Sequence, residues 1–228
     1  MKHYQVEVFT SGDGSHTLYC LDIDEFYHSR YGALGESRKV YVQYGLLEAI
    51  NRRKLRQVKL IELGLGTGLN VLATGEFLLQ HPEVEVIYYA LEPFPLPEEV
   101  LKQLNYIHIV PPQVAGCFAA IHTCLWNEPT CILPNLQLIK LPYCWEEATF
   151  PSESFDVVYY DAFAPEKQPE VWLPSNFEKA HRWLVPKGIL TTYCSKSAVL
   201  KTLRAVGFQV EKLPNFPFKR EVTRAVKI

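Results

Sequence analysis

The feature that most constrains this chain begins at residue 58, where near-continuous apolar runs start to alternate with stretches of helix length. The runs are VKLIEL (58–63), VEVIYYALE (84–92), NLQLIKL (135–141), FDVVYYD (155–161) and GILTTYC (188–194). A strand buried on both faces carries such a run, whereas a half-solvated strand alternates polar and apolar. The intervening lengths suit crossover helices, so the pattern predicts an α/β fold around a mostly parallel sheet.

The two ends of the chain follow different rules. FQVEKLP (208–214) and EVTRAVKI (221–228) are joined by only NFPFKR, too short for a crossover, which predicts an antiparallel C-terminal hairpin. At the other end, residues 4–10 and 16–21 read as two strands reversed at SGDGS, an N-terminal β-hairpin, followed by a helix over about 38–54. The expected division is 1–57, a hairpin and helix extension packing on the core, and 58–228, the main domain. With 228 residues and 48% hydrophobic content the chain can bury one substantial core.

Charge and cysteine usage exclude several classes. The 23 basic and 25 acidic residues nearly cancel, so no whole-molecule field draws the chain to polyanions, although a local patch remains open. No run approaches the roughly 20 apolar residues that span a bilayer, and MKHYQVEVFT lacks a signal-peptide core, so no membrane association and a cytoplasmic location are expected. None of the six cysteines forms a C-x-x-C pair and no H-x-x-x-H occurs, so the expectation is no metal.

IELGLGTGLN places Gly64, Gly66 and Gly68 after the first apolar run and before a helix opened by Leu69 and Asn70. Glycines there let backbone amides approach a ligand closely. Position 69 is leucine where the dinucleotide fingerprint wants glycine or alanine. Glu62, two residues before the loop, suits the ammonium of an amino-acid moiety and would repel a pyrophosphate. Glu92 ends the next run, where a carboxylate can accept both hydroxyls of a ribose. Together these residues predict a nucleoside-type ligand at the carboxyl ends of the strands.

Asp161 ends the fourth run and enters DAFAPEKQPEVW, so it should face the same crevice. Phe163 and Trp172 are candidates for stacking surfaces, and Pro165 and Pro169 stiffen the loop that presents them.

Five parallel-type strands and an antiparallel pair describe the Rossmann-like, seven-stranded sheet of class I adenosylmethionine-dependent methyltransferases. Within that class ELGLGTGLN, DAFAPEKQPEVW and FPFKREV, in this order, resemble the methyltransferase domain of the bacterial tRNA 5-methylaminomethyl-2-thiouridine biosynthesis family, the MnmC type, and its stand-alone relatives. DEFYHSRYGALGESRKVYVQYGL is similar to that family's N-terminal signature. The resemblance implies S-adenosyl-L-methionine as cofactor and methylation of the aminomethyl group on a modified wobble uridine. It implies a tRNA anticodon loop as partner, with the cofactor side formed by Tyr27, Glu62, Gly64, Gly66, Gly68, Asn70, Glu92 and Asp161. Phe163, Lys167, Trp172, Lys219 and Arg220 are the candidates for holding the substrate, and Tyr27 joins them as a stacking ring. Bifunctional members carry a flavin-dependent oxidoreductase domain; no flavin is expected here, and a separate oxidoreductase partner is left open. Where many members have an acid near the adenine, this chain reads KLPYCWEEA, so adenine recognition is expected from backbone near Tyr143 and Cys144, with Trp145.

Asp161 is the candidate catalytic residue. An alkylamine attacks a sulfonium methyl only when unprotonated, and a nearby carboxylate can orient its lone pair and remove a proton. The rival readings are an aminopropyltransferase of the spermidine synthase kind, which shares the sheet and an aspartate-proline motif, and a non-catalytic nucleoside-binding scaffold.

Overall fold

The computed structural model of the chain describes residues 4–215 and 220–228. Its N-terminal part is a three-stranded antiparallel sheet of β1 (Val6–Thr10), β2 (His16–Cys20) and β3 (Glu25–Phe26). The reversal between β1 and β2 does more than turn the chain. Asp13 accepts the Gly35 N–H at 2.8 Å, Ser11 Oγ the Ala33 N–H at 3.1 Å, and Ser15 Oγ the Leu34 N–H at 3.0 Å. These are the otherwise orphaned donors at the start of the next helix, so the hairpin caps it.

That helix runs through Ala33–Glu36, widens to π-type i→i+5 turns over Ser37–Leu47, and returns to α geometry over Glu48–Arg53. It lies against the main sheet at Gly45, where an added Cβ would stand 2.8 Å from Thr191 Cγ2 and 3.1 Å from Tyr159 Cε1. Thr191 Oγ1 donates to the Val40 carbonyl at 2.9 Å, fastening the widened segment to the sheet. π-type winding is rare, occurs mostly as single turns inside α-helices, and is frequent at functional sites.

The main sheet holds β4 (Gln57–Leu63), β5 (Glu85–Leu91), β6 (Pro129–Leu133), β7 (Leu136–Leu141), β8 (Phe155–Tyr160), β9 (Leu184–Thr192), β10 (Phe208–Asn215) and β11 (Arg220–Lys227). Their order is β10-β11-β9-β8-β4-β5-β7-β6. Strands β4, β5, β7, β8 and β9 run parallel, and β10 and β11 form the expected antiparallel hairpin. The α/β class and the C-terminal hairpin agree with the sequence reading, but the sheet has eight strands where seven were expected. The extra one, β6, pairs antiparallel with β7 at the sheet's edge. It begins with Pro129 and is half exposed, which an edge strand tolerates and an apolar-run criterion overlooks.

Each central strand serves two cores. On β4, Leu60 joins Tyr88, Leu138 and Tyr159 under the helices 33–53 and Leu69–Gln80. Ile61 and Leu63 join Val158, Tyr160, Phe177 and Trp183 on the opposite face. The chain leaves β4 toward β5 on one side and returns later to place β8 on the other. This reversal of strand order opens a crevice beyond the carboxyl ends of β4, β5 and β8.

Candidate functional site

A cavity of about 330 Å³ occupies that crevice. Tyr27, Gly64, Gly66, Asn70, Glu92, Asp161 and Phe163, all singled out from the sequence, line it. Gly64 has φ +84° and a Cβ there would sit 3.0 Å from the Asp161 carbonyl; Gly66 has φ +49° and would press a Cβ to 3.2 Å from the Tyr27 ring. Both positions demand a residue without a side chain. Gly68 does not line the cavity: it precedes the helix Leu69–Gln80 and packs against His122.

Glu92 is fixed across the cavity mouth. Its Oε2 accepts the Gly66 N–H and its Oε1 the Phe94 N–H, both at 2.8 Å. A carboxylate oxygen has two lone-pair sites, so each retains one for a ligand hydroxyl. Burial pushes the Glu92 carboxyl up, against the pull of those two amides.

The remaining two acids are joined by one amide. Asn70 Nδ2 donates to Glu62 Oε1 at 2.7 Å and to Asp161 Oδ2 at 2.8 Å. Asp161 Oδ1 accepts the Tyr41 hydroxyl at 2.6 Å. Burial raises the Asp161 carboxyl to about 6, while the bonds from Tyr41 and Asn70 hold it down. Glu62 is 1% exposed and held well above the usual carboxylate range, first by burial and then by Asp161 beside it. Its expected place as a direct ligand of an ammonium group is not what the structure gives. Strand alternation puts Glu62 on the Leu60 face of β4, behind Asn70, and it does not line the cavity.

The other candidates divide. Trp172 was read as a stacking surface, yet the residue is 7% exposed and its ring packs on Tyr160, Phe177 and Tyr193. Its Nε1 donates to the Phe163 carbonyl at 2.8 Å, so Trp172 fixes Phe163 and offers no face of its own. Lys167 pairs with Asp24 at 2.7 Å and ties the loop after β8 to the N-terminal sheet. Lys219 and the Arg220 side chain lie outside the described residues. Cys144 and Trp145 line the cavity, whereas Tyr143 does not; the Trp145 indole is fully buried and donates to the Asn176 carbonyl at 3.2 Å.

Several lining residues had not been singled out. Tyr4 and Phe94 pack edge-on at 5.3 Å, and Tyr27 meets Phe163 at 5.1 Å, an aromatic rim drawn from three parts of the chain. Phe94 follows a strand-end acid by two residues, a signal that was present; Tyr4 had none. Glu146 also lines the cavity and accepts from Asn176 Nδ2 at 3.2 Å, so the segment after β7 does present an acid there. Tyr41 lies in the widened helix, where ordinary helical spacing does not tell which residues face the sheet.

Comparison with known proteins places this geometry in context. Residues 139–228 match a family described as S-adenosyl-L-methionine-dependent methyltransferase. The chain is 29% identical over 219 residues to the tRNA 5-methylaminomethyl-2-thiouridine biosynthesis bifunctional protein MnmC of Ralstonia nicotianae, covering 92% of this chain and 33% of that protein. With the bifunctional protein MnmC of Actinobacillus pleuropneumoniae the identity is 28% over 229 residues, 93% of this chain and 34% of the relative. The chain therefore spans about one third of the length of these relatives. Among solved structures, MNMC2 from Aquifex aeolicus superposes with a TM-score of 0.79 at 23% identity, over 98% of this chain and 70% of that one. Spermidine synthase from Thermotoga maritima gives 0.58 at 12% identity, over 100% and 71%. Both structures attest the fold. The matches bear out the resemblance read from the sequence, the methyltransferase class and S-adenosyl-L-methionine as its cofactor.

Proposed function

We propose that this chain methylates the aminomethyl nitrogen of a modified wobble uridine in tRNA, converting aminomethyl-2-thiouridine to methylaminomethyl-2-thiouridine. The observation that carries the reading is Asp161: a half-buried carboxylate at the sheet's mouth, beside the Gly64–Gly66 loop, with its proton affinity raised toward neutrality. The names of the relatives supply the substrate class.

The residues present fit the cofactor. Among the described residues no lysine or arginine pairs with Glu62, Glu92 or Asp161, so the hollow is acidic and suits a cationic ligand. Asn70 Oδ1 is buried without a partner on a residue that lines the cavity, an acceptor for the ligand's ammonium group. Glu92 would hold the ribose hydroxyls, with Glu146 and the Cys144 backbone at the adenine side. When bound, S-adenosyl-L-methionine supplies an electrophilic methyl on a sulfonium.

Asp161 acts on the other reactant. It accepts a proton from the substrate ammonium and orients the freed lone pair, which attacks only when the nitrogen stands in line and roughly 3 Å from the methyl carbon. A carboxylate whose affinity for protons is raised toward 6 is a stronger base than an exposed aspartate and remains mostly ionised at pH 7. The aromatic rim excludes water and offers Phe163 and Tyr27 as surfaces for a splayed base. In this reading 1–57 is an extension that closes the site over the catalytic unit 58–228, and Lys167, Lys219 and Arg220 are the cations that would meet phosphates. A tRNA substrate sets the chain in the cytoplasm; no helix among the described residues is long and apolar enough to cross a membrane.

The test is methyl transfer from labelled S-adenosyl-L-methionine to purified tRNA carrying aminomethyl-2-thiouridine. Label should enter that tRNA and not tRNA already methylated at this position. No transfer, or polyamine formation from decarboxylated adenosylmethionine in its place, overturns the reading.

A further inference from the structure

Glu62 and Asp161 accept from the same nitrogen, yet their surroundings differ. Asp161 has a donor for each oxygen, the Tyr41 hydroxyl on Oδ1 and the Asn70 amide on Oδ2. Glu62 has one donor at hydrogen-bond distance, Asn70 on Oε1, and its Oε2 is buried with no partner at that distance; the nearby Tyr88 hydroxyl pulls its proton affinity down, but burial and Asp161 outweigh that pull. The Tyr88 hydroxyl, close enough to act on Glu62's ionisation, also lacks a partner within hydrogen-bond geometry. A buried, ionised oxygen with no donor is costly; a buried carboxylic acid that donates to a hydroxyl oxygen is not.

We propose that Glu62 holds the proton of this pair and Asp161 its negative charge, with Asn70 and Tyr41 as the positioning residues that enforce the division. The inference rests on the reading of Asp161 as the base. It makes Glu62 a neutral support behind Asn70 and not a counter-ion of the cofactor. Two like charges bridged by one amide nitrogen in a low-dielectric hollow disfavour each other, so the pair ionises in two separate steps. The pair goes first at the member with two donors. The titratable groups facing the pair agree with this. Tyr41 comes from the helix 33–53, Tyr88 from β5, Tyr159 from β8, Glu92 from the end of β5 and Tyr193 from the segment after β9, with Glu36 acting on Tyr41 and Tyr193. All are acids or phenols, so no facing cation favours a second negative charge. The arrangement leaves the base charged and rigid before substrate enters, and confines the cofactor's contact with this corner to Asn70, leaving Asp161 to the substrate amine.

Infrared difference spectra of the cofactor-free protein at pH 7 test the assignment. Native minus Glu62→Gln should show a protonated-carboxyl C=O band, and native minus Asp161→Asn a carboxylate band. The reverse pattern overturns the proposal. Should Glu62→Gln fold poorly, Asp161→Asn decides alone: it must keep the protonated-carboxyl band, and losing it contradicts the assignment. Activity adds a second arm. Glu62→Ala should slow methyl transfer by about tenfold or more by releasing Asn70, and Glu62→Gln should restore it to within about threefold, since an amide replaces a neutral acid. Equal loss in both variants means the charge on Glu62 matters and ends the inference. An Asp161→Asn protein that keeps full activity would instead remove the proposed base, whatever the infrared result.

Discussion

The Tyr41 hydroxyl stands 2.6 Å from Asp161 Oδ1, a hydrogen bond between the widened N-terminal helix and the loop after β8. Tyr41 is 1% exposed, so water cannot take its place at little cost. The bond lowers Asp161's affinity for protons against the upward push of burial.

Tyr41→Phe should therefore shift the acid limb of the pH–rate profile. Methyl transfer needs ionised Asp161, so the rate climbs as pH rises through its pKa of about 6. Loss of one hydrogen bond to the ionised form should move that limb upward by roughly 0.5–1 pH unit, with the plateau rate largely kept. A uniform loss at every pH would assign Tyr41 a purely structural part.

Asp161 should also cost stability, in a defined window. An acid whose pKa is higher in the folded state holds its proton where the unfolded chain has already lost it. Between about 3.9 unfolded and about 6 folded, the native state binds more protons, so stability falls as pH rises and then levels off. Asp161→Asn removes this, and the Tyr41 hydroxyl can accept from the new amide. Thermal unfolding should show the variant gaining on the native protein from pH 4 to 6, by on the order of 1–3 kcal/mol, with no further gain above. A constant difference across pH would contradict the assigned shift.

Glu92→Gln keeps the shape of the side chain but leaves one acceptor oxygen where the carboxylate had two. Either the Gly66 or the Phe94 amide loses its partner, and a ribose hydroxyl loses an acceptor. Calorimetry should find cofactor affinity down by about tenfold or more. Unchanged affinity would place the ribose elsewhere.

Trp172→Ala separates packing from recognition. A buried indole that holds the Phe163 carbonyl should cost about 3–5 kcal/mol of stability on truncation. Were the ring a stacking face for a base, tRNA binding would weaken while the unfolding midpoint stayed in place.

Much of the fold was legible because buried parallel strands write continuous apolar runs, as FDVVYYD and VKLIEL do. The edge strand Pro129–Leu133 was not, since it is exposed on one side and starts with proline. In the site, Asp161, Glu92 and the Gly64–Gly66 loop were legible from their position just past strand ends. Glu62 was misread at the level of layers: its spacing before the glycines was right, but the two-residue alternation of β4 turns it beneath the helices. Tyr41 and Tyr4 reach the site by tertiary contact alone. Trp172 illustrates a limit of composition, since an aromatic beside a loop reads the same whether it packs inward or faces a ligand.

The most direct test of the account is mass spectrometry of tRNA nucleosides from cells lacking this protein, complemented with the native chain or with Asp161→Asn. Aminomethyl-2-thiouridine should accumulate in the deleted cells, and the native chain should restore its methylated form while Asp161→Asn leaves the accumulation in place. Normal levels of the methylated nucleoside without the protein, or full restoration by Asp161→Asn, would contradict it.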